Sequence, residues 1–257
     1  MAKQKLLLVD GSSLAFRAFF SILDLNRFKN ANGLHTNALY SFHRMFKSIL
    51  DSEKPTHVLV AWDAGKTTFR TEMYADYKGG RSKTPGEFIE QMPYFNVLLD
   101  AWGIPHYRLN QYEADDIIGT LAKQGEAAGY EVVVLSGDKD LIQLADNNIT
   151  VKITTKGVTE LVEYTPEVIF EKYGLTPEQI IDMKGLMGDS SDNYPGVTKV
   201  GEKTAVKLLQ EFGSVEGIYE HVDEMKKSKL KENLINDKEL AFLSKKLARI
   251  NVDSPLE

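Results

Sequence analysis

The 257 residues are enough to bury a sizeable core, as one large domain or two small ones. Hydrophobic residues at 42% and charged residues at 26% are ordinary for a soluble globular protein. The absence of cysteine excludes disulfides and thiolate metal sites, and the net charge of −6 argues at first against a polyanionic partner.

In chain order, KLLLV at 5–9 reads as a buried strand, followed at Asp10-Gly-Ser-Ser by a turn and the start of the helix LAFRAFFSIL. Asn32-Gly33 marks a turn, and ALYSFHRMFKSILDSE carries apolar residues at helical spacing. Pro55 precedes a second strand, HVLVAWD. Residues 66–93 are mostly polar and broken by Gly79-Gly80, Pro85-Gly86 and Pro93. With few large apolar residues, this segment is expected to bury little and to be mobile. FNVLLDAWG is helical, IPHYRL a strand, and YEADDIIGTLA opens a helix that runs to about Glu126. YEVVVLSGDKDLIQLA reads as strand, turn and helix, ITVKITT as a further strand, and the chain from Tyr164 onward as helical. Strands alternating with helices imply an α/β fold with a parallel-rich central sheet covered on both faces. The start is too short in its apolar part for a signal peptide, and no stretch approaches a membrane span, so a cytoplasmic location follows by default.

The acidic residues fall at structural punctuation marks. Asp10 and Asp63 end apolar runs, and Asp138 and Asp140 follow VVVLS. Glu113, Asp115 and Asp116 open a helix, and Asp189 and Asp192 lie in the loop GDSSDN. Taken alone, EADD is a solvated first turn favoured by the helix dipole. Together the five runs point to a shared site, because ligands of open parallel sheets bind beyond the carboxyl ends of the strands. Two carboxylates about 5 Å apart repel by roughly 3 kcal/mol at an effective dielectric of 20, so nine around one cleft require cations or raised pKa values. Oxygen-only ligands favour magnesium or manganese, and paired ions of this kind serve in-line phosphoryl transfer. With the nine acids set aside, the remaining chain is three charges positive, so the negative total does not exclude nucleic acid.

Two further stretches have both a functional and an ordinary reading. Residues 196–205, GVTKVGEKTA, contain Gly196, Val197, Lys199, Gly201, Lys203 and Thr204. They form either a hairpin whose backbone N–H groups hold a phosphate or a plain connection between helices. Residues 66–83 interleave Lys66, Arg70, Lys78, Arg81 and Lys83 with Phe69, Tyr74 and Tyr77, which suits single-stranded nucleic acid or a solvated loop. KSKLK at 227–231 reads as a solvated face.

The runs LLLVDGSSLAFRAF, AWDAGKTTFRTEMYADYKGGR, YEADDIIGTLA, LSGDKDLIQL and GLMGDSSDNYPGVTKVGEKTA cover nearly the whole chain in order. They resemble the 5′ nuclease domain of bacterial DNA polymerase I, of the flap endonuclease family, with its PIN-like fold. The resemblance implies a core at 1–165 and a helical DNA-binding subdomain at 166–257, with a helix-hairpin-helix at 186–212. It implies two magnesium ions, replaceable by manganese. The first would lie among Asp10, Asp63, Glu113, Asp115 and Asp116, the second among Asp138, Asp140, Asp189 and Asp192. Residues 66–93 would be a helical arch with Arg70, Tyr77, Lys78 and Arg81 near the scissile phosphate, Tyr77 stacking on a base. A potassium ion would sit at the hairpin. The implied activity is hydrolysis of DNA at 5′ ends, flaps, nicks and RNA primers by a monomer associated with the nucleoid, either as a domain of a parent chain that also carries a polymerase or as a stand-alone nuclease. The arch here carries Gly79-Gly80 and Ser82, which loosen it. A PIN-type RNase would share the acidic strand ends without needing the hairpin or the long basic segment. A non-catalytic branched-DNA binder would gain nothing from nine acids.

Overall fold

The computed structural model describes residues 3–155 and 160–257. Among these, a six-stranded sheet is formed by β1 (Lys5–Asp10), β2 (His57–Trp62), β3 (His106–Arg108), β4 (Glu131–Ser136), β5 (Ile149–Thr154) and β6 (Leu161–Tyr164). The spatial order is β3-β2-β1-β4-β5-β6, and every pair is parallel except β5 with β6. The sequence pattern ran helical from Tyr164 and did not contain the antiparallel edge strand β6. The chain order reverses between β1 and β4, so the crevice of this open sheet lies where Asp10 and Asp138 emerge.

The helices follow as α1 (Gly11–Ser21), α2 (Asn37–Glu53), α3 (Phe69–Met73), α4 (Gly86–Ile89), α5 (Met92–Ala101) and α6 (Ala114–Ala127). The later ones are α7 (Pro166–Tyr173), α8 (Pro177–Met187), α9 (Glu202–Phe212), α10 (Val215–His221), α11 (Lys229–Asn236) and α12 (Lys238–Ala248). One face of the sheet packs through Leu7, Val9 and Val60 against Leu14, Phe42, Phe46 and Phe95 of α1, α2 and α5. The other packs through Leu8, Val132 and Val134 against Ile117 and Ile118 of α6, and that cluster continues into Ile180, Leu208 and Leu234 of the later helices. The central strands are therefore apolar on both sides, which is why they read as continuous runs rather than alternating ones. DKDLIQL, expected as a helix, forms a 3-10 helix over Lys139–Leu144.

Residues 66–93 depart from the expectation drawn from their composition. They contain α3 and α4, with residues 74–85 irregular between them, yet Arg70 is 2% exposed and Tyr77 and Phe88 are each 6% exposed. Lys78 N–H donates to the carbonyl of Asp192 at 2.7 Å, and the Asn193 amide donates to that of Asp76 at 2.7 Å. The segment lies down on the acidic crevice instead of standing clear of it.

Candidate metal centre and nucleic-acid interface

The DGSS turn after β1 stitches three strand ends together. Asp10 caps α1, accepting from Ser13 N–H at 3.0 Å, and its second oxygen accepts from the Ser136 hydroxyl at 2.7 Å. Asp63 N–H donates to Ser12 Oγ at 2.9 Å, and Gly137 N–H to Ser13 Oγ at 2.9 Å. Asp63 in turn caps α6, accepting from Ala114 N–H at 2.8 Å, and so brings Asp115 over the same crevice.

Asp10, Asp63, Asp115 and Asp138 face one another. Burial, then Asp63, pushes the Asp10 carboxyl up to about 7. Burial with Asp10 and Asp138 raises Asp115, and burial with Asp192 raises Asp138. Asp140 is lifted to about 7 by burial and by Asp138. Asp189 is different: burial would raise it, but Lys184 at 2.6 Å and two donors from Ser191 hold it down at about 2.

Basic side chains occupy the space between these acids. Lys78 Nζ pairs with Glu113, Arg81 Nη2 lies 2.6 Å from Asp192, and Lys184 bridges Asp140 at 2.9 Å and Asp189. As the side chains stand, no three acidic or histidine residues among the described ones form a closed ligand set. The donor chemistry nevertheless fits hard divalent cations, since it is all oxygen. Two buried oxygens beside the second group lack a hydrogen-bond partner, Asp140 Oδ1 and Tyr194 OH. The Lys184 ammonium approaches the first of them without hydrogen-bond alignment.

Three of the expected residues lie buried beneath the crevice rather than open to it. Asp116 is fully buried and points away from the crevice, accepting from Arg70, from Glu113 N–H at 3.1 Å and from Asn251 N–H at 2.9 Å. Arg70 is buried against Glu113 and Asp116 and does not face the space a phosphate would enter. Tyr77 is buried with its ring 6.4 Å from that of Tyr194, and its hydroxyl reaches Glu113 Oε2 at 3.2 Å, so it is not free to stack on a base. Lys78 and Arg81 do lie at the crevice. Lys184 was missed by sequence reasoning; its signal is that it is the one cation of α8, five residues before Asp189.

The hairpin connects α8 to α9. Its special backbone lies at Gly196 (φ 60°) and Lys199 (φ 62°) rather than at Gly201. A Cβ on Gly196 would meet Gly188 N at 2.3 Å, whereas one on Gly201 would meet nothing within 4 Å. Val197 is buried, Lys199, Gly201 and Lys203 are exposed, and Thr204 is half-buried. No side chain caps α9, so its first N–H groups open outward beside Lys199 and Lys203.

A mostly parallel open sheet that gathers acids at its switch point, with basic residues among them and a helical hairpin beside it, is an architecture suited to cleaving phosphodiesters. Family models agree: residues 5–174 match the 5′-3′ exonuclease N-terminal resolvase-like domain, and residues 175–257 match the 5′-3′ exonuclease C-terminal SAM fold. The chain belongs to the 5′-3′ exonuclease family. It is 64% identical over 257 residues to a DNA polymerase I of Streptococcus pneumoniae (strain ATCC BAA-255 / R6), matched over 100% of this chain and 29% of that protein. It thus spans under a third of such relatives. Among solved structures, a bacteriophage T5 5′-exonuclease with bound zinc superposes with a TM-score of 0.77 at 27% identity, over 96% of this chain and 90% of that one. A T5 flap endonuclease in a pseudo-enzyme-product complex with DNA and metal ions gives 0.75 at 27% identity, over 97% and 89%. No helix among the described residues is long and apolar enough to cross a membrane.

Proposed function

We propose that this chain hydrolyses DNA phosphodiesters near 5′ ends, at flaps, nicks and RNA primers, with two magnesium ions that manganese can replace. It would act as the 5′ nuclease part of a parent chain that also carries a polymerase, a monomer working in the cytoplasm at the nucleoid. The observation that carries the reading is the convergence of Asp10, Asp63, Asp115, Asp138 and Asp140 at the carboxyl end of the sheet, where burial and neighbouring acids raise the carboxyls of Asp10, Asp115, Asp138 and Asp140. We assign Asp10, Asp63, Asp115 and Glu113 to the first ion, and Asp138, Asp140, Asp189 and Asp192 to the second. When bound, the ions lower the pKa of the attacking water and neutralise the leaving oxygen.

The chain's own residues do the remaining work. Lys78 and Arg81 now pair with Glu113 and Asp192. Freed from those pairings, both cations would face the scissile phosphate and stabilise charge growing on it. The exposed amides at the start of α9, with Lys199 and Lys203, grip a duplex phosphate, and the same hairpin would hold a potassium ion. We place the nuclease core at 1–165, including the arch, and the DNA-binding subdomain at 166–257.

The test uses a 5′-labelled flap and a matched nicked duplex, with and without magnesium. Cleavage near the 5′ end that stops on chelation is expected. Full activity in excess chelator, or no cleavage of either substrate with magnesium present, would overturn the proposal.

A further inference from the structure

Residues 247–254 leave α12 and run as a strap behind the acidic crevice, touching the supports of both carboxylate groups. At the first group the contact is Arg70. Its Nε donates to Leu247 O at 3.0 Å. Nη1 donates to Glu113 Oε2 at 2.6 Å and to Asp116 Oδ2 at 2.8 Å. Nη2 donates to Asp116 Oδ1 at 2.8 Å and to Arg249 O at 2.8 Å. A guanidinium has five N–H donors in a fixed fork, and all five are spent.

The same accounting applies to Asp116. Oδ1 accepts from Arg70 and from Asn251 N–H, and Oδ2 from Arg70 and from Glu113 N–H. A carboxylate offers about four acceptor sites, so none remains for an ion. α6 also meets the strap closely: a Cβ on Gly119 would lie 2.6 Å from Ile250 Cγ2, and Ser254 N–H donates to Thr120 Oγ1 at 3.0 Å.

At the second group the contact is Gln143, buried on the 3-10 helix that carries Asp140. Its amide takes the strap from both sides, accepting from Ile250 N–H at 2.9 Å and donating to Ala248 O at 2.9 Å.

We infer that the strap, through Arg70–Asp116 on one side and Gln143 on the other, fixes the spacing of the two carboxylate groups, and that Arg70 and Asp116 are positioning residues rather than phosphate and metal contacts. Arg70 holds Glu113 by Oε2 and leaves Oε1, the oxygen Lys78 now occupies, to face the crevice. The inference rests on the metal-dependent reading above. It assigns a purpose to residues 247–254: they tie the helical subdomain that would grip duplex DNA to the frame that would hold the ions.

Arg70→Lys keeps the charge and loses the fork, so a change in metal affinity reports geometry and not net charge. Outer partners of metal ligands typically set affinity by 10–100-fold. For the DNA-free protein, manganese titrated calorimetrically should bind at least about tenfold more weakly in Arg70→Lys and in Gln143→Leu. Flap affinity in chelator should stay within about twofold, because the duplex grip lies elsewhere. Single-turnover cleavage should fall at limiting manganese and recover with excess. Unchanged manganese affinity in both variants would overturn the strap, as would a rate loss in Arg70→Lys that excess manganese cannot rescue, the mark of a missing phosphate contact. Gln143→Leu lies outside the ion pair and keeps the test alive should Arg70→Lys fail to fold. No manganese binding by the unaltered protein would overturn the metal reading itself, and the strap with it.

Discussion

Raising the pH of the metal-free protein should destabilise it, and divalent cations should cancel the effect. Asp10 and Asp140 are raised from the ordinary carboxylate range to about 7 by burial and neighbouring acids. A folded-state pKa above the unfolded one means that between about pH 5 and 7 the folded protein binds more protons. Stability therefore falls as pH rises through that window. Two pH units at 1.36 kcal/mol per unit give about 3 kcal/mol for one such group. Asp115 and Asp138 shift in the same direction, but the four share one crevice and their contributions do not simply add. For a chain of this size one group's worth corresponds to a Tm change of roughly 6–12 °C. Asp189 has the opposite sign, but at about 2 its contribution is lost only at pH values below this window. Thermal melts in chelator should show Tm falling by several degrees from pH 5.5 to 7.5. Magnesium should restore it at pH 7.5, since ligand binding adds to folded-state stability and favours ionised carboxylates. A Tm that is flat or rising in chelator, or a fall that magnesium leaves untouched, would refute the reasoning.

Asp115→Asn should abolish cleavage while keeping or tightening DNA binding, measured by fluorescence anisotropy, because it removes a negative charge from beside the phosphate. Lys78→Ala should lower the single-turnover rate by roughly 3 kcal/mol of transition-state stabilisation, far more than it weakens flap binding; equal losses would make Lys78 an ordinary backbone clamp. Gly201→Val should leave the free protein's Tm nearly unchanged, since its site is open at φ −102°, yet weaken duplex binding, and an unchanged dissociation constant would remove the α9 amides from the interface. Trypsin should cut first after Arg81 and Lys83, which are exposed, with Lys78 slower because Asp192 and Glu113 hold it. A 5′-flap substrate should protect these sites, and cutting that ignores DNA would take the segment out of the mechanism.

What was legible in the sequence follows from the range of the forces involved. KLLLV, HVLVAW and EVVVLS end at acids, and a parallel sheet fixes where such ends point, so the crevice could be read from local pattern alone. β6 could not, because a four-residue edge strand that pairs antiparallel has little pattern of its own. The compactness of residues 66–93 was hidden for another reason. Arg70 and Tyr77 are buried by pairing with crevice acids, a contribution that hydrophobic patterning does not register. Asp115 and Asp116 are adjacent in sequence and differ most in surroundings. Adjacent positions on a helix point about 100° apart, so one faces the crevice and the other the interior. Which is which depends on contacts to Arg70 and Asn251, 46 and 135 residues away.

The net charge of −6 can now be weighed against a polyanionic partner. An assembly of unshared carboxylates is unstable at neutral pH unless cations or protons enter it. Without metal the chain supplies both from itself, with Lys78, Arg81 and Lys184 among the acids and protons favoured on Asp10 and Asp140 up to about pH 7. In that state the cations nearest the crevice are spent on carboxylates and little is left for a phosphate. Divalent ions would replace the protons and release Lys78 and Arg81 outward, and the same side chains would then face DNA. A surface that repelled DNA when empty and attracted it when loaded would tie substrate binding at the crevice to readiness for chemistry. The hairpin begins at Gly196, four residues after Asp192, and is open at Gly201, and its exposed amides would supply an affinity that does not depend on these exchanges.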